Sequence, residues 1–539
     1  MVLQQELKIP VWGWASAGEK ITVTLGSQTA TATASADGNW RVDLPPIPSA
    51  TAQPMVLTVT GTNALTFHDV LVGDVWLASG QSNMDFGIAN VEKSAGVIAQ
   101  ANEPQLRLFS VTKTTSLTPQ KDIGESPYPF DATWFVCTPE NLSKVNGKYG
   151  FSAVAFFFGR EIQHTTGHPV GLILSDWGGT PAQAWTSLSG LQKDPALAPY
   201  VEARGKIAAI FDQIKGDYPK AQAEYEAAKK QWDSEVGTAL MQETNAWSKQ
   251  VSEAVAKGET PPPRPVASRP RPSPPPSPDG GNSTPANLYN AMIAPLIPYG
   301  IKGVIWYQGE ANANREQDAV TYRTLFPRLI TDWREQWGQG DFPFLHVQLA
   351  NFLADLIKFK SPPVTPAEGV WPFLREAQLQ ALTLPNTGMA VAIDIGNPVS
   401  IHPADKQDVG LRLALAAKHV AYGQDIVFSG PIYDSMKIEG QKIVLRFKNI
   451  GGGLQVGNPP WSPAGMTIPR PTDLSGFGIA GENKKWVWAK AAIEGDTVVV
   501  SSHEVPSPVA VRYGWANAPF VNLYNKEGLP TSPFRTDTW

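Results

Sequence analysis

The sequence contains a single cysteine, no block of basic residues and no long apolar run. One cysteine, Cys137, excludes an intramolecular disulfide, and its place in the apolar run "TWFVC" predicts a buried, unreactive thiol. With 44 basic against 49 acidic residues and a pI near 5.9, the chain lacks the positive surface charge that nucleic-acid binding requires. Because no apolar run reaches the thickness of a bilayer, we also expect no membrane span.

The two ends of the chain are typical of antiparallel β-structure. Residues 1–72 contain short alternating runs that are broken by Ala-Gly-Glu and Asp-Gly, the usual pattern of hairpins, and predict a β-sandwich region. Residues 425–539, with "KIEGQKIVLRFKNIGGG" and "WVWAKAAIEGDTVVVSSHEV", predict a second β-region. At 539 residues, the chain has room for three or four folding units.

The middle of the chain has a different pattern. Four apolar runs are spaced widely enough for intervening helices: "LVGDVWLA", "PVGLILS", "KGVIWYQ" and "GMAVAIDIG". They predict an α/β domain with a largely parallel sheet, formed by residues 73–190 and 287–424.

An insertion, residues 191–286, separates the two parts. Apolar residues at spacings of seven or four predict one long amphipathic helix through Tyr225, Trp232, Val236, Leu240, Trp247 and Val251. The stretch "TPPPRPVASRPRPSPPPSPDGG" that follows predicts an extended or disordered tether. The insertion is either an accessory arm or one wall of a substrate groove.

Each of the four apolar runs ends in a small polar cluster: "SGQSNM", "DWGGT", "GEANAN" and "GNPVSIHP". Because parallel strands end at one edge of a sheet, where ligands bind, we expect the clusters to converge. Together they supply the components of acyl transfer, namely a hydroxyl, a histidine, a carboxylate and donors for an oxyanion. A serine in such a turn is by itself more often ordinary turn chemistry.

The Gly-x-Ser-x-Gly elbow of α/β-hydrolases is absent, because Ser82 lies in Gly80-Gln81-Ser82-Asn83-Met84. Instead, "VLVGDVWLASGQSNM", "GLILSDWGGTPAQAW", "GVIWYQGEANA" and "IHPADKQDVGLRLA" resemble SGNH/GDSL hydrolases and, within them, the sialate O-acetylesterase-like carbohydrate acetylesterases. The flanking "VWGWASAGEKITV" and "NLYNKEGLPTSPFRT" resemble the same family. The resemblance implies an SGNH-like three-layer α/β domain with a parallel sheet between the two β-regions.

The resemblance further implies a serine esterase that removes O-acetyl groups from carbohydrates through an acetyl-enzyme. Ser82 would be the nucleophile and His402 the general base, without a metal or other cofactor. The residues implied for the oxyanion hole are Ser82, Gly178, Gly179 and Gln308, and those for substrate binding are Gln81, Asn83, Trp177 and Asn312. Such a protein is expected outside the cytoplasm, with any export signal upstream of this chain.

One departure from the family concerns the acid that orients the histidine. The family block Asp-Ile-His-Pro is Ser400-Ile401-His402-Pro403 here, so the local carboxylate is missing. Glu310 is the first candidate to replace it and Asp394 the second, and an adjacent carboxylate would raise the pKa of His402. If neither serves, the enzyme is a Ser-His dyad in which Ser400 has only a geometric role.

Two other functions remain open at this stage, an inactive carbohydrate-binding protein and a lipase of the same superfamily. The sugar is also open, with a slight preference for acetylated hemicellulose (xyloglucan or xylan) over O-acetylated sialic acid. Aromatic residues near the expected crevice either stack on sugars or, more commonly, belong to the core: Trp177, Trp185, Trp306 and Tyr307. The oligomeric state is not indicated.

Overall fold

The N-terminal region is all β, as the alternating sequence predicts. A computed structural model describes the chain except for residues 127, 258, 260–261, 353–365, 367–368, 399 and 459–472. Its first strands are β1 (Val2–Gln4), β2 (Ile9–Trp14), β3 (Lys20–Leu25), β4 (Gln28–Thr33), β5 (Asn39–Leu44), β6 (Thr51–Thr60) and β7 (Ala64–Gly80). In β5 every second side chain is buried, and Trp40, Val42 and Leu44 join the N-terminal core.

Strand β7 belongs to two parts of the molecule. Residues Ala64–Val72 pair antiparallel with β6, whereas Asp74–Gly80 pair in parallel with strands of the central sheet. From Val70 onward every residue of β7 is buried, because this half of the strand lies inside the central domain. The boundary predicted at residue 72 therefore falls inside one continuous strand, and the N-terminal region shares this strand with the α/β domain.

The central sheet is parallel apart from one edge strand. Its further strands are β8 (Glu103–Ser110), β9 (Phe135–Cys137), β10 (Val170–Asp176), β11 (Gly303–Tyr307), β12 (Phe344–Gln348) and β13 (Thr387–Val391). The strand order is β13-β12-β11-β7-β10-β8-β9, and only β9 runs antiparallel to its neighbour. Strands β10, β11 and β12 are buried along their whole length, as expected for a parallel sheet with both faces covered.

Helices cover both faces of this sheet. The helices of the domain are α1 (Ser94–Ala99), α2 (Pro139–Lys144), α3 (Ala153–Thr166), α4 (Leu188–Leu191), α8 (Glu316–Trp337), α9 (Trp371–Gln380) and α10 (Lys406–Val420). Trp76 of β7 packs edge-on against Phe158 of α3 on one face, and Trp306 of β11 packs against Trp333 of α8 on the other. The mixed α/β architecture predicted for the middle of the chain is confirmed.

The insertion forms a helical arm. It contains α5 (Ala198–Ile214), α6 (Tyr218–Trp232) and α7 (Thr238–Lys257), and a π-helical turn, Asp233–Gly237, joins α6 to α7. The long predicted helix thus corresponds to α6 and α7. The described part of the Pro-rich stretch packs against the apolar side of α6 and α7. The Trp232 indole donates to the Arg269 carbonyl (3.1 Å), and the Trp247 indole donates to the Pro262 carbonyl (2.8 Å).

The C-terminal region is antiparallel and packs on the edge of the central sheet. Its strands are β14 (Ile432–Glu439), β15 (Lys442–Lys448), β16 (Leu454–Val456), β17 (Phe477–Gly481), β18 (Trp486–Trp488), β19 (Lys490–Glu494), β20 (Thr497–Ser501), β21 (Pro508–Tyr513), β22 (Leu523–Asn525) and β23 (Phe534–Arg535). They form two four-stranded sheets and one two-stranded sheet. Met389, Val391 and Ile393, at β13 and just after it, are part of the same core.

Two expectations from the composition can be compared with the structure. Cys137 is buried, and burial raises the pKa of its thiol to about 12, so the thiolate is not populated near neutral pH. In the part of the chain that the structure describes, we find no helix with the length and apolar character to cross a membrane.

Candidate active site

The turn that carries Ser82 is fixed from both sides at the carboxyl end of β7. Gly80 has a φ of +139°, and a Cβ placed on it would lie 2.2 Å from the Tyr307 carbonyl oxygen, so only glycine fits this approach to β11. The Gln81 amide donates to that same carbonyl (3.0 Å), and the Trp177 amide donates to the Gly80 carbonyl (3.1 Å). The turn is therefore rigid and leaves Ser82 only partly buried at the sheet edge.

Ser82 and His402 face each other across this edge. The Nε2 atom of His402 lies 2.8 Å from Oγ of Ser82, which is hydrogen-bonding distance for a nucleophile and its base. His402 lies shortly before α10, whose first turn is capped by the Asp405 carboxylate through the Asp408 amide (3.1 Å). A neutral imidazole in this position can accept the proton of the serine hydroxyl.

The surroundings of His402 lower its pKa below the usual 6.5. Although the residue keeps a solvent-exposed edge, desolvation of the ring is the largest cause, and the positive charge of Lys406 is the second. The negative charge of Asp85 acts in the opposite direction but is outweighed. The expected upward shift is therefore wrong, and His402 is neutral, the form a base needs, at pH 7.

Asn83 joins three of the four predicted clusters. Its Nδ2 donates to the Glu310 carboxylate and to the Ile401 carbonyl (3.0 Å), and its Oδ1 accepts from Nζ of Lys406 (2.6 Å). Asn83 is 1% exposed. It was predicted to bind substrate, but the structure uses its side chain to hold the nucleophile turn against the glutamate and histidine loops.

Neither candidate carboxylate reaches the imidazole. Glu310 is buried and accepts from Nδ2 of Asn83 rather than from His402, and burial raises its pKa. Asp394 forms a two-pronged ion pair with Arg412 (2.6 and 2.8 Å) and accepts from the Tyr524 hydroxyl (3.1 Å). Among the described residues, no carboxylate hydrogen-bonds to His402. Neither Glu310 nor Asp394 therefore orients the imidazole by direct contact in this structure.

Ser400, which stands where the family has aspartate, acts on the backbone. Its Oγ accepts from the amide of His402 (3.3 Å) and donates to the carbonyl of the same residue (3.3 Å). This contact shapes the loop rather than the imidazole.

Of the residues predicted for the oxyanion hole, the glycine loop lies beside Ser82 and Gln308 does not. A Cβ placed on Gly178 would lie 3.3 Å from Cβ of Ser82, so the loop after β10 passes directly beside the nucleophile, with Gly179 in a left-handed conformation (φ +76°). Gln308 is different. Its Nε2 donates to the Thr180 carbonyl (3.2 Å) and to Oδ1 of Asn312 (2.8 Å), and it is fully buried, so its amide does not face the oxyanion position.

Two other predicted substrate contacts are also structural. Oε1 of Gln81 accepts from the Ala311 amide (3.1 Å) and braces the glutamate loop, while Oδ1 of Asn312 accepts from the Ala182 amide (2.9 Å). Both residues are at most 3% exposed. Of the four aromatic candidates, only Trp177 is partly exposed; the fully buried ones are Trp185, Trp306 and Tyr307.

A cavity of about 500 Å³, here called the Ser82 cavity, opens beside the catalytic pair. Its lining includes side chains that sequence reasoning missed: Asp85, Lys113, Asn146 and Tyr149. Lys113 bridges Asp85 (2.8 Å) and Asp176 (3.3 Å), and Asn146 donates to Asp85 (2.9 Å). Asp85 directly follows the Ser82 motif, three residues after the serine, and this position could have identified it as a site residue. Lys113, Asn146 and Tyr149 follow no pattern in the sequence.

A serine and histidine in hydrogen-bonding contact at the carboxyl edge of a parallel sheet, beside a polar cavity, are the arrangement that a serine acyl hydrolase requires. The family model for carbohydrate esterases described as sialic acid-specific acetylesterase matches residues 72–225 and 280–420, leaving out part of the arm. The chain therefore belongs to this family of carbohydrate esterases and is a carbohydrate O-acetylesterase.

Individual relatives agree with this assignment. The chain is 32% identical to sialate O-acetylesterase of Rattus norvegicus over 474 residues, which cover 83% of this chain and 76% of the relative. The enzyme of the same name from Homo sapiens is 32% identical over 468 residues, with 83% and 74% covered. A crystal structure of a carbohydrate acetylesterase from Xanthomonas citri is 36% identical and superposes with a TM-score of 0.74, covering 100% of this chain and 97% of that one.

Proposed function

We propose that Ser82 and His402, at an SGNH-like edge of the central sheet, remove acetyl groups from a carbohydrate. The reaction passes through an acetyl-enzyme. Oγ of Ser82 attacks the acetyl carbonyl carbon while Nε2 of His402 takes its proton, and the resulting oxyanion is held by the backbone amides of Ser82, Gly178 and Gly179. His402 then gives the proton to the departing sugar oxygen, and water hydrolyses the acetyl-serine by the same steps. The 2.8 Å contact between Ser82 and His402 carries this proposal.

In this scheme the imidazolium that forms is stabilised through space rather than by a hydrogen-bonded acid. Asp85 is the carboxylate whose charge raises the pKa of His402, and it lies on the wall of the Ser82 cavity. Lys113 and Asn146 hold it in place. Asp85 thus takes over part of the role that the family aspartate would have at Ser400.

The preferred substrate is a neutral, acetylated sugar of a hemicellulose such as xyloglucan or xylan. Lys113 is the cation that lines the described part of the Ser82 cavity, and its ammonium group is already shared between two carboxylates. A sialic acid would bring a further carboxylate close to Asp85, whose charge Lys113 already balances, while the other cation beside the cavity, Lys148, is placed over the Tyr149 ring (5.2 Å). Tyr149, which is 49% exposed at the cavity and has Nζ of Lys148 5.2 Å from its ring centroid, offers apolar ring surface to a neutral sugar instead.

O-acetylated sialic acid is the second candidate, and the names of the mammalian relatives favour it. The arm does not distinguish the two, because the described residues that line the Ser82 cavity include none from 191–286. A location outside the cytoplasm stays a prediction.

The test is to measure acetate released from acetylated xyloglucan, acetylated xylan and an O-acetylated sialoglycan at equal acetyl concentrations. We expect kcat/KM to be highest on one of the two plant polysaccharides. Preference for the sialoglycan would overturn the substrate assignment, whereas release of acetate by the Ser82→Ala variant would overturn the mechanism.

A further inference from the structure

A second and larger cavity, of about 820 Å³, lies between the N-terminal β-region and the central domain. It has no lining residue in common with the Ser82 cavity. Its walls come from β2, β5, the segment 117–121, the region of α4 and the segment that leads into β11, with one residue each from α5 (Arg204) and α8 (Gln336). We call it the tryptophan cavity, after Trp12, Trp14 and Trp40, which line it.

The three indole rings differ in exposure, and two of them, Trp12 and Trp40, pack against neighbouring residues. Trp14 is 52% exposed, whereas Trp40 is 9% exposed and packs over Gly13, where a Cβ would meet its ring at 3.0 Å. Trp12 contacts Tyr299 edge-on, with ring centroids 6.5 Å apart. Rigid aromatic faces beside solvent provide stacking area at a small cost in conformational entropy, which suits the flat apolar faces of pyranose rings.

The wall opposite the tryptophans carries an unpartnered polar group. Tyr289 is 4% exposed, its hydroxyl makes no side-chain hydrogen bond that the described residues show, and its oxygen is open to the cavity. Burial raises the pKa of this phenol above its usual value, so it stays protonated and can donate. A hydroxyl that is open on a cavity wall can donate to a ligand that supplies hydroxyl oxygens.

The cavity is preformed. The Gln120 amide donates to the Asn290 carbonyl (2.8 Å), and Nδ2 of Asn290 donates to the Ser116 carbonyl (3.0 Å), which ties the segment 117–121 to the wall that contains Tyr289. Nζ of Lys121 donates to Oδ1 of Asn39 (3.3 Å) and connects that segment to the N-terminal region. A fixed site of this volume loses little free energy to ordering when a ligand enters.

Three cationic side chains are among the residues that line the cavity, Arg41, Lys121 and Arg204. Arg41 is in an ion pair with Asp43 (2.8 Å), and Arg204 donates to the Pro285 carbonyl and to Asn287. Lys121, which also lines the cavity, donates to the neutral side chain of Asn39, so these contacts leave the charge of the ligand to be decided by the sialyllactose titration below.

We propose that the tryptophan cavity is a second, non-catalytic binding site for a neutral oligosaccharide, which stacks on Trp14 and hydrogen-bonds to Tyr289. It would anchor the carbohydrate chain away from Ser82. The inference rests on the carbohydrate specificity of the family and not on the mechanism proposed for Ser82.

The experiment uses the full chain with Ser82→Ala, so that binding is measured without turnover. Cellohexaose, xylohexaose and a xyloglucan heptasaccharide are each titrated by calorimetry, with 3′-sialyllactose as the charged probe. We expect at least one neutral probe to bind. Trp14→Ala and Tyr289→Phe, each added to Ser82→Ala, should weaken that binding about tenfold.

Controls separate binding from folding. Trp488→Ala removes a comparably exposed indole (39%) from the C-terminal region and should leave the affinity unchanged. Tyr289→Phe should not lower the melting temperature, because it removes a hydroxyl that is open to the cavity and makes no side-chain hydrogen bond among the described residues. The proposal is overturned if no neutral probe binds, if neither substitution weakens binding, or if sialyllactose alone is bound at this site. Acetate release by the wild-type enzyme is an independent readout, so the mechanism at Ser82 can fail without affecting this result.

Discussion

At the scale of single residues, two serines at the end of β7 give a direct test of nucleophilic catalysis. Ser82→Ala should abolish acetyl-enzyme formation while the melting temperature stays unchanged, because the turn is fixed by backbone contacts of Gly80 and Gln81. Ser79→Ala is the matched control, since the Ser79 hydroxyl is buried without a partner and its loss should leave both activity and stability intact. Mass spectrometry after brief incubation with 4-nitrophenyl acetate measures the acetylated fraction. An unfolded Ser82→Ala protein would favour a structural role for the turn.

The lowered pKa of His402 predicts the shape of the pH profile. Only the neutral imidazole accepts the serine proton, so kcat/KM should rise through one ionisation below pH 6.5 and be level around neutrality. Lys406→Met removes a positive charge that disfavours the imidazolium, so the rising limb should move to higher pH.

Asp85→Asn should shift this limb in the opposite direction, because the Asp85 charge favours the imidazolium. Rates are measured between pH 4.5 and 8 with substrate well below KM. If both variants keep the wild-type midpoint, the titrating group is not His402.

Glu310 acts through Asn83, which predicts a smaller effect than direct orientation of His402 would give. Glu310→Gln weakens a hydrogen bond to a charged group, worth about 1.5–3 kcal/mol, so kcat should fall about ten- to a hundredfold with KM little changed. Asp394→Asn instead breaks the ion pair with Arg412 and should lower the melting temperature more than kcat. A loss of kcat for Glu310→Gln as complete as that of Ser82→Ala would mean that the carboxylate contacts the reacting groups.

At the scale of elements, the loop after β10 has two adjacent glycines with different requirements. A methyl group on Gly178 would press against Ser82 at 3.3 Å, so Gly178→Ala should lower kcat strongly and the melting temperature only slightly. Gly179 has open space around its Cβ position but a φ of +76°, so Gly179→Ala should cost about 1 kcal/mol of stability. Enzyme kinetics and thermal melts on both variants test this contrast, which would be refuted if both changed the same property.

The same strand ends show how far sequence reasoning reaches. Four apolar runs predicted a parallel sheet whose clusters converge, and the contacts of Asn83 with Glu310 and Ile401 show that convergence. Sequence could not tell which polar side chains point outward. Gln308 and Asn312 satisfy each other inside the loop, and Lys406 reaches the site only because α10 begins just beyond His402.

Boundaries were the least predictable feature of the fold. The alternation of residues 1–60 correctly indicates β-structure, but nothing in "HDVLVGDVWLASG" marks the point at which β7 leaves one sheet and enters another. The change is visible only as burial of every residue from Val70 onward, which depends on the neighbouring strands. In the arm, by contrast, the helical spacing was sufficient, because Trp232 and Val251 are buried where the period places them.

At the scale of the whole molecule, the C-terminal region is joined to the catalytic domain by buried contacts rather than by a linker alone. Arg375 of α9 is fully buried, and its guanidinium donates to the Leu349 and Ala350 carbonyls on one side and to the Ala516 and Asn517 carbonyls on the other, at 2.7–2.8 Å. The guanidinium of arginine has five N–H donors in one plane, which suits these four carbonyl acceptors. The ammonium of lysine has only three donors, and they are not coplanar.

We therefore expect Arg375→Lys to leave at least one of these buried carbonyls unpaired and to lower the free energy of unfolding by about 1–3 kcal/mol. Arg446→Lys, at an exposed position of β15, is the matched control and should change it by less than about 0.5 kcal/mol. Urea unfolding followed by tryptophan fluorescence measures both variants. Because Arg375 lies outside the catalytic pair and both cavities, kcat well below the melting temperature should fall far less than stability does. Equal stability of the two variants would contradict the coupling, and the C-terminal region would then be an independent unit attached to the esterase.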